Sequence, residues 1–405
     1  MKRYFNNYIL IIFSLLPISF IIGPSVSLLN ILIIDLTFVI FLIYKNEKFF
    51  QKSSEVKYFF ILFIYLVFNT LVSLDYSLSL QRNLGFLRII LLFMAFNYFL
   101  KDKKILNKVF VSWCLIFLII TFDVFFEFIF QKNILGFSSE FGGRIVSFFR
   151  NEPIIGGYIN AFYLILIGFL FNKYEEKKYL ILILSIIILS AVILTGERSN
   201  SIKAFIGFII FFIIYQKFTN KFKFFSVIIF TISILIFILN HSYLKHRFVD
   251  QIKALVTVEG NPYTPIYKSG LKVFYNNPIL GVGNKNYRVE TCKNLFVEED
   301  YICQTHPHQV YIEFLAEHGI LGSFIIFYLL YKLIFSKIKL AFSSQNYIQI
   351  GAGIYLILVF FPLIPSGAFF SDYLLSLFAI NLSIFYCSNL KMNIFTKNDK
   401  NFWGR

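Results

Sequence analysis

The amino-acid sequence predicts an all-α polytopic membrane protein with about twelve transmembrane helices, and its composition, apolar runs and charge placement all indicate this class. Of 405 residues, 58% are hydrophobic and only 15% are charged, so the chain cannot cover a water-soluble surface. The formal net charge of +16 would suggest nucleic acid in a soluble protein. Here it must first be read as a signal of membrane topology.

Twelve apolar runs approach the roughly 20 residues that a helix needs to cross a bilayer. They span about 8–22, 26–44, 58–74, 84–100, 109–130, 154–171, 179–195, 202–216, 223–240, 319–335, 346–362 and 369–387. Tilt or a re-entrant segment could merge or split the shorter runs, which sets the expected number at eleven to thirteen. We therefore expect a single integral membrane domain over residues 1–405.

Lysine and arginine are concentrated on alternate connections between these runs. One set of connections, with both chain ends, holds 23 of them, whereas the short opposite connections hold five, Arg82, Lys132, Arg144, Arg150 and Arg198. By the positive-inside rule both termini are expected in the cytoplasm. The long connection 241–318, between the ninth and tenth spans, is then outside, with eight basic and eight acidic residues. Nucleic-acid binding has no remaining support.

Two of the four cysteines lie in this outer connection. Cys292 and Cys303 are eleven positions apart, and in an oxidising compartment such a pair is expected to form a disulfide. The alternative is a metal site formed by both cysteines with His306 and His308, although its spacing matches no common zinc pattern.

Acidic and basic residues inside the apolar runs are costly in a membrane and therefore need partners. Asp35, Asp123, Glu127 and Arg88 are such residues. We expect them to pair with each other or with backbone groups and to fix helix packing.

The segment 195–201 is a candidate anion site at the outer face. Arg198 lies there between two apolar runs, and its guanidinium presents a rigid fork to phosphate-like oxygens. A salt bridge between Glu197 and Arg198, or a lipid-headgroup contact, is the alternative. The loop 131–153 brings Arg144 and Arg150 to the same face, where they either join Arg198 or meet headgroups.

The long outer connection contains a predicted helix and a turn. Apolar residues recur at helical spacing from Tyr263 to Phe274, which predicts an amphipathic helix on the membrane surface or over a cavity. Asn277-Pro278 ends it, and Gly281-Val282-Gly283 forms a turn whose glycines either bind phosphate or serve the conformation alone. Arg288 follows as a candidate site residue.

The strongest local signal is the segment 305–322. His306 and His308 flank a proline just before a helical pattern that enters the tenth span. Histidine has the side-chain pKa nearest neutrality, so a histidine at a membrane-surface cavity is a natural proton acceptor. The structural alternative is that His308 caps the helix.

The residues from 140 to 325 resemble the O-antigen ligase and polymerase superfamily. His308-Gln309, nine residues, Gly319, two residues and Gly322 are similar to its His-[Asn/Ser/Gln]-x9-Gly-x-x-Gly signature. The order of the other segments agrees: Asn151-Glu152-Pro153-Ile154-Ile155-Gly156, Gly196-Glu197-Arg198-Ser199 and Asn277-Pro278-Ile279-Leu280-Gly281-Val282-Gly283.

The resemblance implies a glycosyltransferase in the bacterial inner membrane, with a periplasmic active site. Such an enzyme moves a glycan from undecaprenyl pyrophosphate to an acceptor hydroxyl. The acceptor is the lipid A core for a ligase of lipopolysaccharide biosynthesis, another glycan for a polymerase, or a Ser or Thr for a protein-glycosylating relative. By resemblance, His308 is the general base and Arg198 binds the pyrophosphate.

One family feature is missing from this sequence. Many members carry an arginine where Pro262 to Ile266 stand, so the second phosphate-binding role must pass to Arg288, Arg150 or Lys268. Arg144 and His306 are further substrate-binding candidates. No cofactor or metal is expected, because arginine and one base suffice for an activated pyrophosphate donor, and the configuration at the anomeric centre should invert.

A transporter of lipid-linked sugars is the alternative from a different functional class. It would be expected to show internal repeats and a charged cavity at the membrane midplane. The sequence shows no repeat, and its polar residues collect at the outer face.

Overall fold

The computed structural model describes residues 2–45, 53–138, 142–150, 152–256, 261–293, 300–362 and 364–396. Within these ranges the chain forms helices and no strand. The α-helices, α1 to α18 in chain order, are Lys2–Ser14, Leu16–Ile22, Pro24–Lys45, Ser54–Leu71, Tyr76–Phe99, Lys103–Phe130, Ile155–Lys173, Lys178–Leu194, Arg198–Ile214, Asn220–Asn240, Ser242–Lys245, Gln251–Val256, Tyr263–Asn276, Tyr287–Lys293, Val310–Leu330, Ser336–Ser343, Tyr347–Val359 and Asp372–Cys387. Asn151, part of the connection 45–57 and the chain end after 396 lie outside the described residues.

Each of the twelve apolar runs coincides with a helix, which confirms the all-α membrane class. In the part of the chain that the structure describes, eight helices are long and apolar enough to cross a bilayer, or nine if α1 and α2, bent by 41° relative to each other, count as one. The other three runs correspond to α9, α17 and α18, with 17, 13 and 16 residues. A helix rises about 1.5 Å per residue, so these three are short for a bilayer of ordinary thickness. The number of spans stays a prediction.

Helix α7 lies at the centre of the bundle. In the apolar part of α7, 83% of the residues are buried, compared with 17% in the peripheral α10. Gly168 of α7 lies against the backbone of Tyr347 at the start of α17, and Gly351 of α17 lies against the backbone of Leu164. A side chain at either glycine would collide with the opposite helix. Small residues thus allow α7 and α17 to approach closely, as is typical inside a membrane.

Three of the four intramembrane charged residues have partners, as the sequence predicts. Glu127 accepts hydrogen bonds from the backbone N–H groups of Val146 and Ser147, at 3.0 and 2.5 Å, and Asp123 accepts one from Ile134 at 2.9 Å. These bonds fix the loop that carries Arg144 onto the C-terminal end of α6. Arg88 forms an ion pair with Asp372. Asp35 has no hydrogen-bond partner among the described residues.

The predicted amphipathic helix is α13, which ends at Asn276 before Pro278 as expected. It packs on the first turn of α15: a Cβ at Gly270 would collide with Ile312 of that turn and come within 2.9 Å of Pro307, which precedes the helix. This contact holds α13 over the start of the helix that follows the two histidines.

Candidate active site

A cavity of about 740 Å³ lies at the meeting point of four parts of the chain. They are the α8–α9 turn, the start of α7, the segments around α13 and α15, and the segment 365–374. Its lining contains seven cationic side chains, two histidines and three carboxylates. They are Arg82, Arg144, Arg198, Lys203, Arg247, Lys285, Arg288, His306, His308, Glu197, Glu313 and Glu317. Such a lining suits an anionic ligand.

The α8–α9 turn is fastened to the start of α7 through Glu197. Its carboxylate accepts hydrogen bonds from the backbone N–H groups of Gly156 at 2.5 Å and Gly157 at 3.0 Å, and from the Asn200 amide at 2.7 Å. A Cβ at Gly156 would lie 2.6 Å from the Thr195 hydroxyl. The start of α7 and the α8–α9 turn, which are separate motifs in the sequence, are therefore hydrogen-bonded to each other. The alternative salt bridge between Glu197 and Arg198 is not formed.

Arg198 is consequently left free to face the cavity. It is the first residue of α9, and its Nη1 atom is buried without a hydrogen-bond partner among the described residues. Backbone N–H groups at a helix N-terminus also favour negative charge. Both features suit Arg198 for binding an anion.

Two further arginines point to the same place. Arg247 donates to the Gly196 carbonyl from Nε at 3.2 Å and from Nη2 at 2.9 Å. Arg144 donates from Nη2 to the Pro153 carbonyl at 3.0 Å, and its Nε atom is buried without a hydrogen-bond partner in the described part of the chain. Burial lowers the pKa of Arg247, and the charges of Arg144 and Arg198 lower it further. Arg247 is thus close enough to both Arg144 and Arg198 to be repelled by them, and the three guanidinium groups are here called the arginine triad.

Gln309, rather than His308, caps helix α15. Its side-chain oxygen accepts from the backbone N–H groups of Tyr311 at 2.6 Å and Ile312 at 3.0 Å. The backbone of His308 adopts a positive φ of 54°, and its carbonyl accepts from Ser366 N–H at 2.9 Å. A non-glycine residue in this region costs about 1 kcal/mol or more and is often found at functional sites. The capping alternative is thereby excluded for His308.

The two imidazoles lie side by side at the cavity. Their ring centroids are 4.1 Å apart, and the His308 ring meets the Tyr263 ring edge-on at 6.0 Å. Burial lowers the pKa of His308, and burial with His308 beside it lowers the pKa of His306 to about 4. Both rings are therefore neutral near pH 7 and able to accept a proton.

The two glycines of the His motif shape α15 behind the histidines. Gly319 has a φ of 62° and interrupts the helix, so that Ile320 N–H donates to the Pro278 carbonyl at 2.8 Å instead. Gly322 leaves room for the hydroxyl of Tyr65. The turn at Gly281-Val282-Gly283 packs here too, since Gly283 N–H donates to the Glu317 carbonyl at 2.9 Å. A conformational role accounts for all four glycines.

Arg82, Lys285 and Arg288 lie in another part of the cavity lining. Arg82 forms an ion pair with Asp372 at 2.8 Å, and the Glu317 carboxylate accepts from Lys285 N–H at 2.8 Å. Burial lowers the pKa of Lys285, and Arg82 and Arg288 lower it further.

The cavity brings together Arg144, Arg198, Arg288, His306 and His308 from the sequence-predicted residues, but not Arg150 or Lys268. Arg150 is exposed, with its guanidinium 5.8 Å from the Phe137 ring, and Lys268 is exposed on α13.

The structure contains a disulfide between Cys292 and Cys303, with Cα atoms 4.4 Å apart. Their sulfurs are therefore not metal ligands, and the described residues contain no group of three or more His, Cys, Asp or Glu arranged for a metal.

Sequence reasoning did not single out Arg82, Lys203, Arg247 or Lys285. Arg82 could have been identified, because it is one of only five cations on the short connections that carry few Lys and Arg. Arg247 lies between His246 and Phe248, in a π-helical turn at His246–Asp250.

Residues 182–327 match a protein-family model described as O-Antigen ligase. No curated protein matches the chain significantly. The matched segment runs from α8 into α15 and contains Arg198, Arg247, Arg288, His306 and His308, so the match covers most of the cavity's cationic and imidazole side chains. The match to this family model supports the resemblance to the O-antigen ligase superfamily over residues 182–327.

Proposed function

We propose that the chain is an O-antigen ligase-like glycosyltransferase, which transfers a glycan from undecaprenyl pyrophosphate to a hydroxyl of the lipid A core oligosaccharide. The observation that carries this proposal is the convergence of Arg144, Arg198 and Arg247 on one cavity that also contains two neutral imidazoles. A dense set of guanidinium groups suits a diphosphate, and a neutral imidazole suits the activation of a hydroxyl.

On the donor side, the arginine triad binds the pyrophosphate. Arg198 and Arg144 each have a buried guanidinium nitrogen without a hydrogen-bond partner among the described residues. Arg247 is held by the Gly196 carbonyl, and we assign to it the second phosphate-binding role that the segment 262–266, which lacks an arginine, cannot supply. As the sugar departs, negative charge builds on the diphosphate, and fixed cations stabilise it.

On the acceptor side, His308 takes the proton of the attacking hydroxyl. The bond between the anomeric carbon and the diphosphate oxygen breaks while the new glycosidic bond forms on the opposite face, so the configuration inverts. The carrier leaves as undecaprenyl pyrophosphate. Because three guanidinium groups can balance its charge, the proposed reaction uses neither a metal ion nor a cofactor.

The proposed orientation puts both termini in the cytoplasm of a bacterial inner-membrane protein and the segment 241–318 in the periplasm. The distribution of 23 against five Lys and Arg on opposite connections supports it. The arginine triad, the two histidines and the disulfide then share the periplasmic side, where disulfides persist. Cations gathered at one end of the helices, rather than midway, favour catalysis over transport.

Transfer by the purified protein tests the proposal. The donor is undecaprenyl-pyrophosphate-linked glycan, supplied with rough lipopolysaccharide core, with a Ser/Thr peptide, or alone. We expect glycan on the core. A ladder of lengthened carrier-linked glycan in the donor-only reaction would indicate the polymerase, the second candidate from the same superfamily. Absence of product in all three reactions would contradict the proposed function.

A further inference from the structure

The cations of the cavity fall into two groups. The arginine triad is held at the α8–α9 turn and the start of α7, where Arg247 donates to the Gly196 carbonyl and Arg144 to the Pro153 carbonyl. The other group is held by different elements: Arg82 pairs with Asp372, and the Lys285 N–H is bound by Glu317 of α15. The cations of the cavity are therefore anchored in two places. The second group, Arg82, Lys285 and Arg288, is called the acceptor cluster below.

The acceptor cluster is rigidly built. Arg82 is anchored to Asp372, which also pairs with Arg88. Lys285 has a positive φ of 66°, and its N–H is bound by the Glu317 carboxylate. Arg288 lies in α14, four residues before the disulfide at Cys292. Backbone strain and covalent anchoring at such positions indicate that the orientation of these side chains matters.

The acceptor cluster also carries free charge. Asp372 balances Arg82, and Glu317 is engaged by the backbone N–H groups of Lys285 and Tyr287. The side chains of Lys285 and Arg288 form no ion pair within the described residues, although both line the cavity. Two charged donors are therefore available to a ligand.

Helix α15 sets the distance between the histidines and the acceptor cluster. Val310, Glu313 and Glu317 line the cavity along one face of α15, starting two residues after His308. At about 1.5 Å per residue, Glu317 lies about 10 Å along the helix from Val310. His308 precedes the first turn of this helix, where its ring contacts Tyr263. Because Glu317 binds the Lys285 N–H, the acceptor cluster lies farther along α15 than His308.

We propose that Arg82, Lys285 and Arg288 form an acceptor subsite, which binds a phosphate group on the acceptor glycan while the triad holds the donor pyrophosphate. The proposal rests on the proposed function and adds the chemical class of the acceptor. Arg288 then belongs to the acceptor and not to the donor. A phosphate held farther along the cavity would fix which acceptor hydroxyl reaches His308. Phosphate is favoured because its oxygens can take both the Arg288 fork and the Lys285 ammonium.

Titration of the purified full-length protein with inorganic pyrophosphate tests the two anion sites without turnover. We expect two binding events for the wild type. Arg198→Gln should lose one, and the double variant Lys285→Gln/Arg288→Gln should lose the other. Lys293→Gln is the matched control, because Lys293 is an exposed cation on the same helix and does not line the cavity. A double variant that still shows both binding events would overturn the proposal.

Transfer kinetics identify the source of the phosphate. With rough lipopolysaccharide core, phosphatase treatment should raise the acceptor KM of the wild type about tenfold, as expected for lost charge-assisted hydrogen bonds, and leave the double variant unaffected. If the double variant is instead slower than the wild type in donor-only reactions, the subsite binds the pyrophosphate of a second carrier-linked glycan. If the double variant matches the wild type in both reactions, the subsite is wrong. If the wild type transfers nothing, the proposed function fails, while the titration still decides the anion sites.

Discussion

At the scale of single residues, the His motif divides two tasks between neighbours. Gln309 caps α15, which leaves the adjacent imidazole of His308 free to face the cavity. The sequence could indicate a histidine before a helix, but not which residue caps it. His308 and Gln309 both precede the helix, and only the hydrogen bonds in the structure show that Gln309 is the cap.

The pH dependence of transfer follows from the lowered pKa of His308. A base must be unprotonated, and burial lowers this pKa below the ordinary histidine value of about 6.5. The base form therefore persists as the pH falls from 8 through about 6.5, and kcat/KM should decline only at more acidic pH. A pH profile of kcat/KM with saturating donor checks this. Half-maximal activity above about pH 7 would contradict the assignment.

Gly156 should be essential for the position of Glu197. An added Cβ would lie 2.9 Å from the Glu197 carboxyl carbon and 2.6 Å from the Thr195 hydroxyl. We expect Gly156→Ala to destabilise the protein by about 1–3 kcal/mol and to lower transfer, because the α8–α9 turn must shift. Gly85→Ala is the control, since its Cβ would meet only the Arg88 side chain at 3.6 Å. Equal melting temperatures for both variants would refute the contact.

At the scale of elements, hydropathy was a good guide to helices and a poor guide to their lengths. A run of apolar residues forms a helix in a membrane because backbone groups must be satisfied internally, and each predicted run is helical. Helices α17 and α18 are shorter than their runs, because the described residues 360–362 and 364–371 are not helical. Residues 365–371 line the cavity, where irregular backbone is tolerated.

The disulfide should stabilise the segment that leads to the histidines. Cys292 and Cys303 are eleven residues apart and tie α14 to the approach to His306. Replacing both with serine should cost roughly 2–4 kcal/mol in the chain-entropy account, observed as a lower melting temperature. Cys114→Ser, which removes a free thiol, is the control. Two reactive loop thiols in the denatured, unreduced protein would rule out the bond.

At the scale of the whole molecule, the sequence could predict candidate site residues but not how the segments that carry them meet. The cavity combines side chains from α5, α9, α14, α15 and the loop before α7, which are far apart along the chain. Arg198 and His308 were identifiable from local motifs. Arg82 and Arg247 were not, because their meaning depends on contacts with Asp372 and Gly196 that no local pattern contains.

The proposed orientation predicts opposite reporter signals at two positions. Fusions after Lys223 and after Arg288 should report the cytoplasm and the periplasm, because the connection at 216–223 carries three lysines and the segment 241–318 has balanced charge. Alkaline phosphatase and fluorescent-protein fusions, active on opposite sides, make this measurement. The same side for both positions would overturn the topology and the periplasmic site.

The central claim is that His308 and Arg198 act together in one glycan-transferring cavity. Its most direct test is the initial rate of transfer by purified His308→Ala, Arg198→Lys and His306→Ala, with gel filtration to verify folding. His308→Ala should lose about 10² to 10⁴ in rate. Arg198→Lys should also fail, because a point charge cannot replace the bidentate fork. His306→Ala should be milder. Near wild-type transfer by both His308→Ala and Arg198→Lys would contradict the account.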